Sequence, residues 1–291
     1  MTAADRDAES VIPGPPTQGP SPRRRARRRI FVAVSLIAAL LLAGTVVALW
    51  NRVTVHPVSM DTARERAGLD SGSSGPATPL VPATGVYRYQ GTGTEHLDKP
   101  PRTQPQGPDI PGTVTGLGDG CWRLRVDYSN NHWQSWDYCS TGTALTETAG
   151  AFHQRIDLGP VSVDTSSTYV CDPPADAIRP TQTAGDRWRQ ACRGRSTASD
   201  GDVASAGPYT FVGEEPIDIG RREVVTLHYH RVRTLTGGQR GTEEVDTWFD
   251  ATTGLPVRNS RVITVHSDSV FGSVTYTERG TFTLVSSTPT R

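Results

Sequence analysis

The stretch CWRLRVDYSNNHWQSWDYC, residues 121–139, reads as two strands joined by a short polar turn. With Ser129-Asn130-Asn131 as a three-residue hairpin loop, Cys121 stands opposite Cys139 and Arg123 opposite Asp137. On the other face Trp122 meets Tyr138 and Leu124 meets Trp136, while Val126 and Tyr128 extend the apolar side. A thiol pair, an opposite-charge pair and an aromatic face all select one register, which a two-residue turn would shift by one. The hairpin is therefore antiparallel, with one face made for burial.

Period-2 patterning continues on both sides of it. Strands are expected at 85–92, 111–117, 121–128, 132–140, 143–157, 161–171, 186–192, 208–217, 223–235, 241–250, 256–266 and 270–285. Turn residues separate them at Gly118-Asp119-Gly120, Asn130-Asn131, Gly237-Gly238 and Thr252-Thr253-Gly254. The Pro- and Gly-rich 93–110 and the segment 193–207 read as long loops, and no amphipathic helix is evident. The fold class expected is all-β, one curved or barrel-like antiparallel sheet of sequential hairpins over residues 84–287.

Ahead of that domain lies IFVAVSLIAALLLAGTVVALW, residues 30–50, without a charge. At 1.5 Å per residue it spans about 30 Å, a bilayer's hydrocarbon core. Six arginines between Arg23 and Arg29 precede it and only Arg52 follows closely, so the positive-inside rule puts the N-terminus in the cytoplasm. The run is too long for a signal peptide's apolar core, and Val47-Ala48-Leu49-Trp50 is a poor cleavage site. Residues 30–50 are thus expected to cross the cell membrane once, with the lipid bilayer as partner and the C-terminal domain outside. Residues 1–29 read as a disordered basic tail, and 51–83 as a Pro/Gly/Ser-rich tether with a brief helix near Met60–Leu69.

The tail carries seven Arg against three acidic residues, and the formally neutral chain is otherwise acidic, which gives no reason to expect nucleic-acid binding. All four cysteines lie in the part expected outside. An even count in an oxidising compartment points to two disulfides. The hairpin register pairs Cys121 with Cys139, and elimination pairs Cys171 with Cys192 across a Pro173-Pro174-Pro180 loop of little secondary structure. No CxxC pair supports zinc.

No nucleophile elbow, phosphate loop, HExxH or calcium loop is present. His228 and His230 share a strand face, and Asp246 can sit opposite His230, so these three are the candidate metal ligands. They define the enzymatic alternative, a metal-assisted hydrolase. His132 and His153 read as surface residues near turns or strand ends. Trp122, Leu124, Trp136 and Tyr138 are the candidates for lining a ligand cavity, with packed core as the competing reading. No cofactor is expected.

The segment TWFDATTGLPVR, residues 247–258, has a strand ending W-x-D, a T-G-L-P turn and a returning strand with Arg. It resembles a hairpin of the lipoprotein-carrier superfamily of extracytoplasmic bacterial β-domains. That resemblance implies a strongly curved antiparallel sheet around a greasy cavity, plugged on its concave face by helices that this sequence lacks. The Arg-heavy usage, with Lys99 the one lysine, resembles that of GC-rich actinobacteria. The function expected is non-enzymatic binding of an envelope partner or an apolar ligand, with a purely structural scaffolding role as the further alternative.

Overall fold

Among the described residues thirteen strands follow one another, twelve of them forming a closed antiparallel barrel in which almost every strand pairs with its neighbours in sequence. The computed structural model describes residues 55–69, 77–158, 162–199, 201–269 and 272–290. The expected membrane segment 30–50 and tail 1–29 lie outside the described residues, among which no helix is long and apolar enough to cross a membrane.

Strand β1 (Gly85–Asp98) has β2 (Pro101–Gln106) and β3 (Asp109–Gly118) end to end along one edge. There follow β4 (Cys121–Ser129), β5 (His132–Ser140), β6 (Leu145–Asp157), β7 (Ser162–Ile178) and β8 (Arg187–Ser196). The circuit continues through β9 (Asp202–Ile219), β10 (Arg222–Gly237), β11 (Gln239–Asp250), β12 (Pro256–Ser269) and β13 (Gly272–Leu284). Pairing of β13 with β1, from Tyr89↔Leu284 to Leu97↔Tyr276, closes a twelve-strand barrel with β2 as the extra strand. At that seam Gly93 faces Gly280, and a Cβ on Gly93 would sit 2.5 Å from the Gln106 side chain and 2.9 Å from the Arg279 carbonyl oxygen. Two hydrogens in place of side chains let the strands curve there and let the Phe282 ring lie over both.

The β4–β5 register is the one expected from sequence, from Cys121↔Cys139 through Asp127↔Trp133. Its turn corrects the three-residue loop: Ser129 pairs with His132, so the turn is Asn130-Asn131 and Tyr128 is bulged out of the ladder. The extra residue of the bulge offsets the shorter turn, and the register survives. Both expected disulfides are formed.

Three loops read from sequence are corrected. Residues 93–110 hold the end of β1, all of β2 and the start of β3, because Pro101 and Pro105 occupy a strand that pairs on one edge only. The segment 193–207 contains the end of β8 and the start of β9. Between Cys171 and Cys192, only 179–186 is connection, the rest belonging to β7 and β8. The β7–β8 ladder runs only from Ser167↔Ser196 to Val170↔Arg193. Below it the Cys171–Cys192 bond holds the parted strands, and Trp188 Nε1 and Gln190 Nε2 donate across to the Asp176 carbonyl.

Helix α1 (Met60–Arg66) is capped by the Ser59 hydroxyl, which accepts from the Thr62 N–H at 3.0 Å. It packs Ala63, with Val58, on the outward side chain of Val86. Residues 77–83 also join the barrel, burying Leu80, whose carbonyl accepts from Trp122 Nε1. Outward positions along β11 and β12 are mostly charged or polar, Arg240, Glu244, Asp246, Arg258 and Ser260 among them with Trp248 and Val262 as apolar exceptions, a pattern that suits water and not lipid.

Candidate functional site

Inward side chains divide the barrel into two halves. The half near the β3–β4, β5–β6 and β11–β12 turns is a packed core around Tyr87, Ile110, Trp122, Leu145, Tyr229 and Phe249. The other half encloses a cavity of about 350 Å³, whose lining reaches the turn residues Lys99, Pro100, Leu158, Thr197 and Ala198. That volume falls in the range of small-molecule sites. Its wall is mainly apolar: Leu97, Phe152, Ile156, Leu235, Ile263 and Val265 come from four different strands, each on the inward phase.

Between cavity and core lies a belt of buried charge. Arg231 and Arg233 follow Leu227 and Tyr229 on the inward phase of β10, and both guanidiniums reach the carboxylate of Glu147 on β6. Arg231 also pairs with Glu243 on β11, and Arg233 donates to Gln190 Oε1 at 2.8 Å. Burial pushes the Glu147 carboxyl up, but the charges of Arg233 and then Arg231 outweigh it and leave the group below its ordinary value. Arg231, desolvated yet held by Glu243 and Glu147, stays charged.

A second network lies beside it. Arg261 pairs with Glu278, and Gln106 Nε2 donates to Glu278 at 3.0 Å while lying 2.9 Å from His132 Nδ1. The single Tyr276 O–H lies between two carboxylates, 3.0 Å from Glu278 and 3.1 Å from Glu95, and Arg261 stacks 3.7 Å from the centre of the Tyr128 ring. Burial opposes ionisation of Glu278, but Arg261, His132 and the Gln106 and Tyr276 hydrogen bonds hold its carboxyl below the ordinary value. Burial also pushes the Tyr128 hydroxyl up to about 12, keeping it neutral while its oxygen accepts from an Arg261 N–H. His132 is wholly buried, which corrects its reading as a surface residue: its side chain faces inward on β5. His153, by contrast, lies on the outer wall, half-buried, its ring stacked on Trp133 and its Nδ1 3.0 Å from Ser166 Oγ.

The sequence-predicted residues fall in two places. Trp122, Leu124 and Tyr138 are in the core, and of the four cavity candidates only Trp136 lines the large cavity, half-buried. His228, His230 and Asp246 are brought together on the outer wall, Asp246 Oδ1 lying 2.9 Å from His228 Nε2 and 3.1 Å from His230 Nδ1. One carboxylate oxygen thus accepts from both rings, while His228 stacks on Trp248 at 4.1 Å. Among the described residues the trio whose ligating atoms converge is Glu147, Cys171 and Cys192, and a disulfide occupies both of its sulfurs. The buried Arg and Glu residues were missed. Their signal was the phase of β10: if His228 and His230 face water, then Arg231 and Arg233 share the inward face with Tyr229 and Leu235.

These features define a closed antiparallel β-barrel with an interior cavity over a charged floor. No family model matches the chain, and no curated protein sequence does. Among solved structures it is similar to the hypothetical lipoprotein YmcC of Escherichia coli K12, at 13% identity and a TM-score of 0.29. That likeness covers 70% of this chain and 86% of the other, and is too distant to carry an assignment. The strongly curved sheet implied by the resemblance of residues 247–258 is present as a closed barrel, and its concave side is filled by its own side chains and the cavity.

Proposed function

We propose that this protein is a non-enzymatic binder of an apolar small molecule, held outside the cell membrane by the segment 30–50. The observation that carries this reading is the cavity of about 350 Å³ with its largely apolar wall, reaching one end of the barrel. A packed scaffold would fill that space, because interiors approach crystal-like density and an empty apolar void forfeits contact energy. The charge belt serves binding by walling the cavity off from the core with groups that cannot collapse into it.

The test is photolabelling of the full chain in its native membranes with a diazirine-bearing hydrocarbon probe. Adducts should map to cavity-lining peptides of β6, β10 and β12. They should vanish in a Leu235→Trp/Val265→Trp variant, which fills the space, while its melting temperature is not lowered. Wild-type protein without adducts on those peptides would defeat the reading. The anchor is checked separately: protease added to intact protoplasts should digest the C-terminal domain and spare an N-terminal tag, and the reverse pattern refutes the orientation.

A further inference from the structure

A guanidinium carries five N–H donors, and the arginines of the cavity floor do not use all of theirs. The terminal nitrogens of Arg231 and Arg233 are spent on Glu147, Glu243 and Gln190, but the Nε–H of each is buried and meets no acceptor in the protein. The Ser205 hydroxyl, which also lines the cavity, is buried without a partner too. Buried donors left unmade are costly, so an oxygen acceptor on the occupant gains more here than in water.

Charge balance restricts that acceptor. Two guanidiniums on the floor face the carboxylates of Glu147 and Glu243, and Glu278 is matched by Arg261 behind it. The rim adds one charge of each sign, Lys99, which is exposed and donates to the Ser273 carbonyl, and Asp164, which is exposed beside His153. No surplus positive charge remains to compensate a buried anion. A cation fares no better, since Glu147 is engaged by both arginines and Glu278 by Arg261, Gln106 and Tyr276. At roughly 30 Å³ per water-sized unit the cavity holds about a dozen such units, enough for one chain and not two.

We infer that the occupant, given the binding role proposed above, is an uncharged single-chain amphiphile whose ester, amide or alcohol oxygen accepts from the Arg231 and Arg233 Nε–H groups. Its chain lies along Phe152, Ile156, Ile263 and Val265, and its head points down toward the belt.

Two diazirine probes of equal chain length, a monoacylglycerol and the corresponding free fatty acid, test this on the full chain in native membranes above neutral pH. The glycerol ester should label cavity peptides roughly tenfold more than the ionised acid, which must bury an uncompensated charge. Arg231→Lys with Arg233→Lys keeps both charges and removes the Nε–H groups, so it should bring the two probes near parity. Should that variant not fold, competition in the wild-type chain decides: an unlabelled long-chain alcohol must displace the ester probe better than the acid does. Equal or stronger labelling by the acid overturns the inference and leaves apolar binding standing. Labelling of the cavity by neither probe overturns both.

Discussion

Two tryptophans on one hairpin should respond very unequally to truncation. Trp122 is 0% exposed, its ring 4.8 Å from that of Tyr138 and its Nε1 donating to the Leu80 carbonyl at 3.1 Å. Trp122→Ala therefore leaves a large hole in the packed half and strips a buried carbonyl of its donor. Large aromatic truncations in cores cost about 3–5 kcal/mol, which at about 2–4 °C per kcal/mol lowers the melting temperature by roughly 6–20 °C. Trp136 sits opposite Leu124, yet it is half-buried and borders open space, so no new cavity has to form. Losing about half of a full burial term puts Trp136→Ala near 1–2 kcal/mol, with reduced photolabelling of the cavity. Thermal melts of the two variants by circular dichroism, in the full chain, give the comparison directly. Trp122→Phe, which keeps a ring but not the N–H, should fall between them. Equal losses for the two alanine variants would refute the division of the barrel into a packed half and a hollow half.

Glu147→Gln should destabilise by about 3–5 kcal/mol, because it leaves Arg231 and Arg233 short of a buried counter-charge. Since the Glu147 and Glu278 carboxyls lie below their ordinary value of 4.5 in the folded protein, their contribution is complete above that pH and lost as the pH falls through the folded values. Acid titration of stability should therefore show a loss beginning below that point, smaller in Glu147→Gln; a wild type equally stable down to strong acid refutes it. Cys171→Ser with Cys192→Ser should cost about 3 kcal/mol through the freed loop and loosen the unpaired part of β7 and β8, read as faster amide exchange there. His228→Ala with His230→Ala, on the outer wall, should change stability by about 1 kcal/mol or less and leave photolabelling intact. Stoichiometric zinc in the wild type, lost in that double variant, would restore the hydrolase reading.

Legibility in the sequence followed the range of the interaction. The β4–β5 register could be read because its three constraints, Cys121 with Cys139, Arg123 with Asp137 and Trp122 with Tyr138, all lie within one hairpin. Where two local features compete, as with a shorter turn and the bulge at Tyr128, sequence named the outcome but not the route. Strand β2 was hidden because proline depresses strand signals unless the strand has a free edge, and having a free edge is a property of the whole sheet.

What the sequence by itself determined is an antiparallel β-domain with two cysteine staples and a period-2 burial pattern, and the alternation of side chains enforces this strand by strand. What only the tertiary structure decided is closure and contents. The pairing of Tyr89 with Leu284 joins residues with no local relation, and closure turns one face of every strand into an interior. In an open sheet Arg231, Arg233, Arg261, Glu147 and Glu278 would be ordinary solvated charges. Inside the barrel they lose water and must satisfy one another, and the balanced floor they form lies beneath the cavity.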